Sequence, residues 1–260
     1  MVPVLADLLP NVNELFEFRG MFGQHEWFEF NKTAVMAFIS TIICIGLFFI
    51  GSRKRAMVPS GLQNVAEIGY ETVEQQIAVE VMGPDSGRKW APFLATLFFW
   101  IFFINIWSTV PFVYFPATSR MAIPIYLALQ TWAIFIFVGF KHQGLGYFRN
   151  VVPSGVPGPL LILVVPIEIL SKYFIRPFSL AVRLFANMAA GHVLLAVFCI
   201  MTSELIIHHD SGIWQIPLGI LPFAALIAMT AFEFLVALLQ AYIFTILTAV
   251  YVNESLHAEH

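Results

Sequence analysis

Charged and titratable side chains interrupt two long apolar stretches near the end of this chain. Arg183 and His192 stand in the first stretch, and Glu233 and Gln240 stand in the second. If such stretches cross a membrane, each ionisable residue costs about 2.5 kcal/mol or more to insert, which makes it a candidate for function by default. A permanent cation, an imidazole and a carboxylate are groups that hold and relay protons. These residues therefore indicate ion-handling chemistry.

The spacing of these four residues predicts which of them meet. Nine residues separate Arg183 from His192, about 13 Å along a helix and roughly half a turn around it, so the two occupy opposite faces. Glu233 and Gln240 are seven residues apart and lie nearly on one face. If the two helices pack antiparallel, Gln240 comes level with Arg183 and Glu233 comes near the level of His192. This pattern predicts a path of titratable groups ending at Arg183, and a structural polar lock between helices is the alternative.

A polar stripe precedes Arg183 on the same predicted helix. At about 100° per residue, the stripe falls within about 80° of arc and comprises Glu168, Lys172, Arg176 and Arg183. Glu168 and Lys172 are four residues apart and can pair, while Lys172 and Arg176 can also reach the lipid headgroups. No acidic residue of the same helix lies within one turn of Arg183. Its countercharge is therefore expected from elsewhere.

The composition places these helices in a membrane. Of 260 residues, 59% are hydrophobic and 11% are charged, against about 25% charged residues in average soluble proteins. The net charge of -3 argues against a nucleic-acid partner, which would require a basic face. The sequence lacks a His-Glu-x-x-His motif, and neither a metal nor a cofactor is expected. We predict an all-α polytopic membrane protein.

Five apolar stretches are long enough to cross a hydrocarbon core of about 30 Å. The predicted spans are 33–51, 90–112, 123–140, 159–207 and 214–252. The last two would measure roughly 70 Å and 58 Å as straight helices, so we expect them to be long, strongly tilted and antiparallel. Pro166 and Pro177 can kink the first of these two, and the loop 208–212 is expected to reverse the chain between them.

The stretch 62–82 is less apolar and sorts by helical period. One face is formed by Leu62, Ala66, Gly69, Val73 and Ile77, and another by Glu67, Glu71 and Glu74. This pattern predicts an amphipathic helix lying along the membrane surface, broken by the loop 83–87. Its acidic face suits a protein partner better than anionic lipid, and a plain connector is the alternative.

Basic residues at the ends of the spans set the expected orientation. The groups 53–55, 88–89 and Lys141 all fall on one side when the spans alternate, which places that side in the cytoplasm. The expected organisation is an external segment at 1–32, three spans with a surface helix at 33–158, and two long helices at 159–260. We expect the N-terminus outside and the C-terminus inside. The first residues lack the pattern of a signal or transit peptide, which favours a bacterial plasma membrane over the mitochondrial inner membrane.

Residues 180–192, Leu-Ala-Val-Arg-Leu-Phe-Ala-Asn-Met-Ala-Ala-Gly-His, closely resemble the signature of subunit a of F-type rotary ATP synthases. Residues 239–251, Leu-Gln-Ala-Tyr-Ile-Phe-Thr-Ile-Leu-Thr-Ala-Val-Tyr, resemble the C-terminal motif of that family. Asn105 with Pro111 is similar to the second-span pattern, and the run Pro-Ala-Thr at 116–118 to the loop that follows. The combination is specific because the two motifs and the order of the spans agree.

The resemblance implies a non-catalytic, proton-translocating stator subunit of the synthase. It implies two offset half-channels held against a rotating ring of subunit c, so that proton flow drives ATP synthesis. The implied partners are the c-ring, the peripheral-stalk subunit b, the rest of the complex and membrane lipid. Arg183 matches the arginine that faces the ring carboxylates, and a guanidinium that stays protonated favours the ionised form of such a carboxylate.

The resemblance also gives roles to Asn187, His192, Glu233 and Gln240, which match positions around that arginine and along the outer half-channel. Some members of the family carry Glu at the position of His192 and His at that of Glu233. The exchanged order keeps one imidazole and one carboxylate, and either order can relay protons.

Three further positions are implied less directly. Glu168 resembles the acidic residue of the inner half-channel, although its spacing to Pro177 is one residue longer than the family pattern. Ser108 stands where some members have Asp and can hydrogen-bond water in the outer path, to which Asn105 is also assigned.

Two other classes of membrane protein compete with this interpretation. The first is a secondary transporter in which Arg183 binds an anionic substrate, and the second is a solitary channel. Transporters of this kind show internal repeats and helices broken by Gly or Pro, and the sequence has no evident repeat. An intramembrane metalloenzyme fits poorly, since His208, His209 and Asp210 stand in a predicted loop.

Overall fold

A computed structural model describes residues 32–53, 61–110, 117–144, 146–149, 158–206 and 215–256. The predicted external segment 1–32 (except Lys32), the positions Pro111 and Pro116, and the reversal loop 208–212 lie outside the described residues. Eight α-helices occupy the described ranges: α1 Lys32–Arg53, α2 Leu62–Val73, α3 Glu80–Asn105, α4 Ala122–Gln143, α5 Gly146–Arg149, α6 Gly158–Leu170, α7 Arg176–Ile206 and α8 Gln215–Leu256. Since the described residues contain no strand, the predicted all-α class is confirmed.

Five helical stretches within the described residues are long and apolar enough to cross a membrane. They are Thr33–Arg53, Leu62–Ser108, Ala122–Gln143, Leu160–Ile206 and Pro217–Leu256. The prediction of about five crossings with two long final helices is therefore confirmed. Their tilt against a bilayer stays a prediction.

The chain reverses sharply at Gly83, between the predicted surface helix and the second span. Gly83 has φ 76° and ψ 168°, a conformation that favours glycine. Directly afterwards, Gly87 packs against the backbone of Ala78, and Arg88 lies 3.8 Å from the carboxylate of Glu74. The predicted break at 83–87 is therefore too long, because Gly83 is the one residue within α3 that departs from helical geometry and the residues after it are helical.

The faces predicted for the stretch 62–82 are largely those observed. Ala66 and Val73 are buried, and Glu67 and Glu71 are exposed. Leu62, on the predicted apolar face, is 55% exposed, although Gly51 of α1 lies against its backbone carbonyl and against Ala66. The location of this helix at the membrane surface stays a prediction.

A π-helical turn, Ser171–Ile175, joins α6 to α7. Pro177 begins the following turn and lacks the N–H that would bond to the carbonyl of Tyr173, four residues earlier. The indole N–H of Trp132, on α4, donates to that carbonyl at 2.9 Å. The irregularity predicted for this helix therefore lies just before Pro177, whereas Pro166 lies within α6.

Replacing Trp132 by Phe should destabilise the protein by about 1–3 kcal/mol, because the Tyr173 carbonyl would lose its donor in an apolar setting. Thermal unfolding of the purified protein measures this loss. Trp90→Phe is the matched control, since Trp90 is also half-buried but its indole makes no hydrogen bond among the described residues. Equal effects of the two substitutions would contradict the role given to the indole N–H.

The short 3₁₀ turn after α3, Ile106–Ser108, is tied to α1. The indole N–H of Trp107 donates to the hydroxyl of Ser40 at 2.8 Å, and the hydroxyl of Ser40 is buried and bonds within α1 to Met36 at 2.8 Å. Interhelical hydrogen bonds of this kind help to hold helices together in lipid, where there is no hydrophobic force between them. This contact fixes the end of α3, next to Ser108.

The C-terminal end of α8 is anchored by three other elements. The Gln143 side chain donates to the backbone carbonyl of Ser255 at 3.0 Å, and the Tyr147 hydroxyl lies 3.3 Å from the Ser255 hydroxyl. Arg176 forms an ion pair with Glu254. These contacts set the position of α8 along its axis, and with it the level of every side chain that α8 carries.

Candidate functional site

Two glycine contacts define how α7 and α8 pack. The carboxylate of Glu233, on α8, fills the space where a side chain of Gly191 would lie. Further along, Gly219 of α8 lies against Leu205 and Ile206 of α7. Residue numbers therefore increase along α7 as they decrease along α8, which confirms the predicted antiparallel pairing.

The same register places the other predicted residues. Glu233 lies next to Gly191 and therefore at the level of His192. Gln240 follows seven residues later, which brings it level with the residue next to Arg183 in an antiparallel pair. Gln240 is buried, with 4% of its surface exposed. The levels predicted from the spacing agree with this register.

A group of buried polar side chains, here called the buried polar cluster, lies where Glu233 of α8 meets the end of α3 and the short turn Ala117–Ser119. Its members are Asn105, Ser108, Thr118, Ser119 and Glu233. The Thr118 hydroxyl donates to the side-chain oxygen of Asn105 at 2.6 Å. The Ser108 hydroxyl lies 2.9 Å from the backbone carbonyl of Asn105 and within hydrogen-bonding reach of Glu233. Three separate parts of the chain thus meet at one polar centre between apolar helices.

Two polar atoms of the cluster have no hydrogen-bond partner among the described residues. They are the amide nitrogen of Asn105 and one carboxylate oxygen of Glu233, both buried. A buried polar atom without a partner costs about 1–3 kcal/mol, so most such atoms are met by ordered water or serve a function. The cluster therefore has the capacity to bind water and to accept or donate a proton.

His192 borders the cluster from α7. It follows Gly191 directly and is buried, with 6% of its surface exposed. An imidazole changes charge near neutral pH, and a buried carboxylate can take up the proton that it releases. His192 and Glu233 therefore supply two titratable groups at one level of the two long helices.

Arg183 and Asn187 have a different environment. Arg183 is half-buried and Asn187 is exposed, and the two are four residues apart on one face of α7. The ion pairs found among the described residues join Arg88 to Glu74 and Arg176 to Glu254, and neither involves Arg183. Arg183 is thus a cation at the edge of the helix pair for which the described residues supply no carboxylate partner.

The sequence matches the family model of the ATP synthase A chain over residues 34–253. The chain belongs to the ATP synthase A chain family. It is 42% identical to the ATP synthase subunit a of Hyphomonas neptunium, over 88% of this chain and 88% of the relative. It is 38% identical to that of Frankia alni over 100% of this chain and 91% of the relative, and 40% identical to that of Acidiphilium cryptum over 95% and 97%. The resemblance drawn from the two motifs is confirmed, and the chain is a multi-pass membrane subunit of ATP synthase.

Glu168 lies apart from the buried polar cluster of this ATP synthase A chain. Its predicted ion pair with Lys172 is not among the ion pairs of the described residues, and the Lys172 ammonium lies 5.4 Å above the ring of Tyr147. The π turn begins between the two residues and changes the stacking of side chains four apart. A π turn holds one residue more than an α turn. This turn lies between Glu168 and Pro177, the interval that is one residue longer than in the family pattern.

Sequence reasoning missed Thr118, Ser119 and Gly191 as members of the site. Thr118 belongs to the run Pro-Ala-Thr that resembles the family loop, which was the available signal. Gly191 directly precedes His192, but a glycine reveals its role only when the neighbouring atom is known. Here that neighbour is the Glu233 carboxylate.

Gly191→Ala should lower proton flux through the assembled ATP synthase by about tenfold or more, since even a 1 Å displacement of a functional group can cost that much. The added methyl group would overlap the Glu233 carboxylate and force it away from Ser108. Acidification of inverted vesicles measures the flux. Gly46→Ala in α1 is the control, because a Cβ there meets no atom within 4 Å. Unchanged flux in Gly191→Ala would show that the contact is not needed.

Proposed function

We propose that this chain translocates protons through the membrane sector of ATP synthase. Protons pass through two offset half-channels to and from the carboxylates of a rotating c-ring, and the flow drives ATP synthesis. The observation that carries this proposal is the buried polar cluster, in which two polar atoms lack partners beside a buried imidazole in apolar helices. Polar atoms that can bind water or a proton at this depth are what a proton path between apolar helices requires.

Glu233 and His192 are proposed as the titratable groups of the outer half-channel. Their common level lets a proton pass between them through one water molecule or directly. Ser108 and Asn105 supply hydroxyl and amide groups that orient water in the path, and Thr118 holds the Asn105 side chain in place. Ser108 thus contributes to the proton path by hydrogen bonding, although its hydroxyl does not titrate.

Arg183 is proposed to stand at the inner limit of this path and to face the ring. A guanidinium keeps its charge at any depth, so it favours the ionised ring carboxylate and blocks direct leakage between the half-channels. Its half-buried position without a carboxylate partner among the described residues supports this role. Gln240, at nearly the same level, is proposed to hydrogen-bond with it.

Two more residues complete the proposed site. Asn187, one turn from Arg183 and exposed, lies where the ring would contact α7. Glu168, half-buried near the other end of the α6–α7 stretch, is proposed for the inner half-channel. The chain itself is non-catalytic, and ATP is made elsewhere in the complex.

We further propose the c-ring and the peripheral-stalk subunit b as direct partners. The acidic residues of α2, such as Glu67 and Glu71, are exposed and suit contact with a protein. The proposed location is a bacterial plasma membrane, with the N-terminus outside and the C-terminus in the cytoplasm.

Reconstitution tests the proposal. The chain should co-purify with a ring of small ion-binding subunits, and vesicles that hold the membrane sector without its soluble head should conduct protons down a potential gradient. A chain that purifies without such a ring and moves an anionic solute instead would support a secondary transporter and refute the proposal.

A further inference from the structure

Trp107 and Ser108 are neighbours in the 3₁₀ turn Ile106–Ser108, but their side chains contact different helices. The indole N–H of Trp107 donates to the Ser40 hydroxyl of α1 at 2.8 Å, whereas the Ser108 hydroxyl lies within hydrogen-bonding reach of Glu233 on α8. A 3₁₀ helix has three residues per turn, so neighbouring side chains diverge by about 120°. This turn therefore connects α1 with the buried polar cluster.

Ser40 holds the end of α3 from the side of α1. Its side chain is fully buried, and its hydroxyl donates to the Met36 carbonyl at 2.8 Å while lying 3.4 Å from the carbonyl of Phe103, in the last turn of α3. The same oxygen accepts the Trp107 N–H. Elsewhere, α1 also packs against the turn Ala117–Ser119. Helix α1 therefore borders two of the three parts of the chain that form the buried polar cluster.

A second indole contact joins the same two helices at a different kind of position. The indole N–H of Trp100 donates to the Thr41 hydroxyl at 2.9 Å. Trp100 lies inside α3, where the backbone hydrogen bonds of a regular helix fix each residue. Trp107 lies beyond the end of α3, in a 3₁₀ turn, whose backbone hydrogen bonds have poorer geometry. The placement of this turn therefore depends more on side-chain contacts than the placement of Trp100 does.

We propose that Trp107 and Ser40 are positioning residues of the outer half-channel, which hold the Ser108 hydroxyl against Glu233 from outside the proton path. Their hydrogen bond fixes the 3₁₀ turn against α1, and the turn presents Ser108 to α8. Helix α1 thus contributes to proton flux, although it carries none of the residues proposed for the path. The inference rests on the proposed function, in which Ser108 orients water beside Glu233.

Trp107→Phe should lower proton flux about tenfold, measured as acidification of inverted vesicles per assembled ATP synthase. The phenyl ring keeps most of the apolar contact but has no N–H, and a factor of ten is about 1.4 kcal/mol, within the range of a single hydrogen bond. Trp100→Phe removes the equivalent bond to Thr41 and should leave the flux unchanged. On α1, Ser40→Ala should reproduce the loss and Thr41→Val should not.

A double substitution separates positioning from a general loss of stability. In a complex that already carries Ser108→Ala, Trp107→Phe should cause little further loss of flux, because the hydroxyl that it positions is gone and residues acting through one contact are not additive. Additive losses would overturn the inference, since they would show that Trp107 acts independently of Ser108. Equal flux in Trp107→Phe and Trp100→Phe would also overturn it. Failure of the proposed function would be seen elsewhere, as a lack of proton conduction by the unaltered complex.

Discussion

Arg183→Ala should reduce ATP-driven proton pumping into inverted vesicles to background, while the soluble head of the complex continues to hydrolyse ATP. Arg183 is half-buried in α7 and makes no ion pair among the described residues. Without its guanidinium, a ring carboxylate facing α7 would lose the cation that favours its ionised form, and an uncompensated charge in this setting costs several kcal/mol. Proton release into the half-channel would stop.

The matched substitution for this experiment is Arg183→Lys. A lysine keeps a cation in water but can lose its charge when buried, so it should restore little or no pumping. Arg53→Ala removes an exposed arginine at the end of α1, outside the proposed path, and serves as the control for assembly. Coupled pumping by Arg183→Ala at the level of that control would contradict the role of Arg183.

The helices and the level of the polar residues could be predicted from the sequence because both depend on simple periodicity. Apolar length predicted the spans, and the spacings from Arg183 to His192 and from Glu233 to Gln240 predicted an antiparallel register. The structure has that register, as the contact of Gly191 with Glu233 demonstrates. The level of a side chain depends only on the rise per residue and its face only on the rotation per residue. Small errors in either value change these predictions little.

Irregular backbone could not be predicted in the same way. At the π turn Ser171–Ile175, the indole N–H of Trp132, from a distant helix, donates to the Tyr173 carbonyl, which Pro177 cannot bond. Pro177 in the sequence indicates a possible kink, but the sequence does not reveal that α4 lies close enough to donate a hydrogen bond there. The predicted pair of Glu168 with Lys172 was wrong for the same reason, since ideal helical geometry was assumed across the turn.

The members of the buried polar cluster could be predicted from the sequence only in part. Asn105 and Ser108 were assigned by resemblance, but Thr118 and Ser119 join them only because the chain returns to the end of α3. Hydroxyl side chains are common in turns, and their type carries no signal of function. Burial is what distinguishes these two, and burial is a property of the fold.

Glu233→Gln should lower proton flux by about a hundredfold or more, since a positioned acid or base contributes roughly 10²–10⁴ to a proton-transfer step. This substitution distinguishes a relay from a structural lock. Glutamine has the size of glutamate and can still hydrogen-bond with Ser108, so a lock would survive, but it cannot take up a proton. Glu80→Gln, an exposed position at the start of α3, is the control. Normal flux in Glu233→Gln with intact assembly would favour the lock.

The double exchange His192→Glu with Glu233→His sharpens this test. Each single substitution leaves two like groups at one level, two carboxylates or two imidazoles, and should impair flux because like charges disfavour each other's ionised form. The double variant restores one imidazole and one carboxylate in the order found in other members of the family, and flux should recover to within about tenfold of the original. Such rescue requires that the two side chains act as a pair. If the double variant is as slow as the slower single variant, the two side chains do not exchange protons. Glu233 would then have a structural role, in its packing against Gly191.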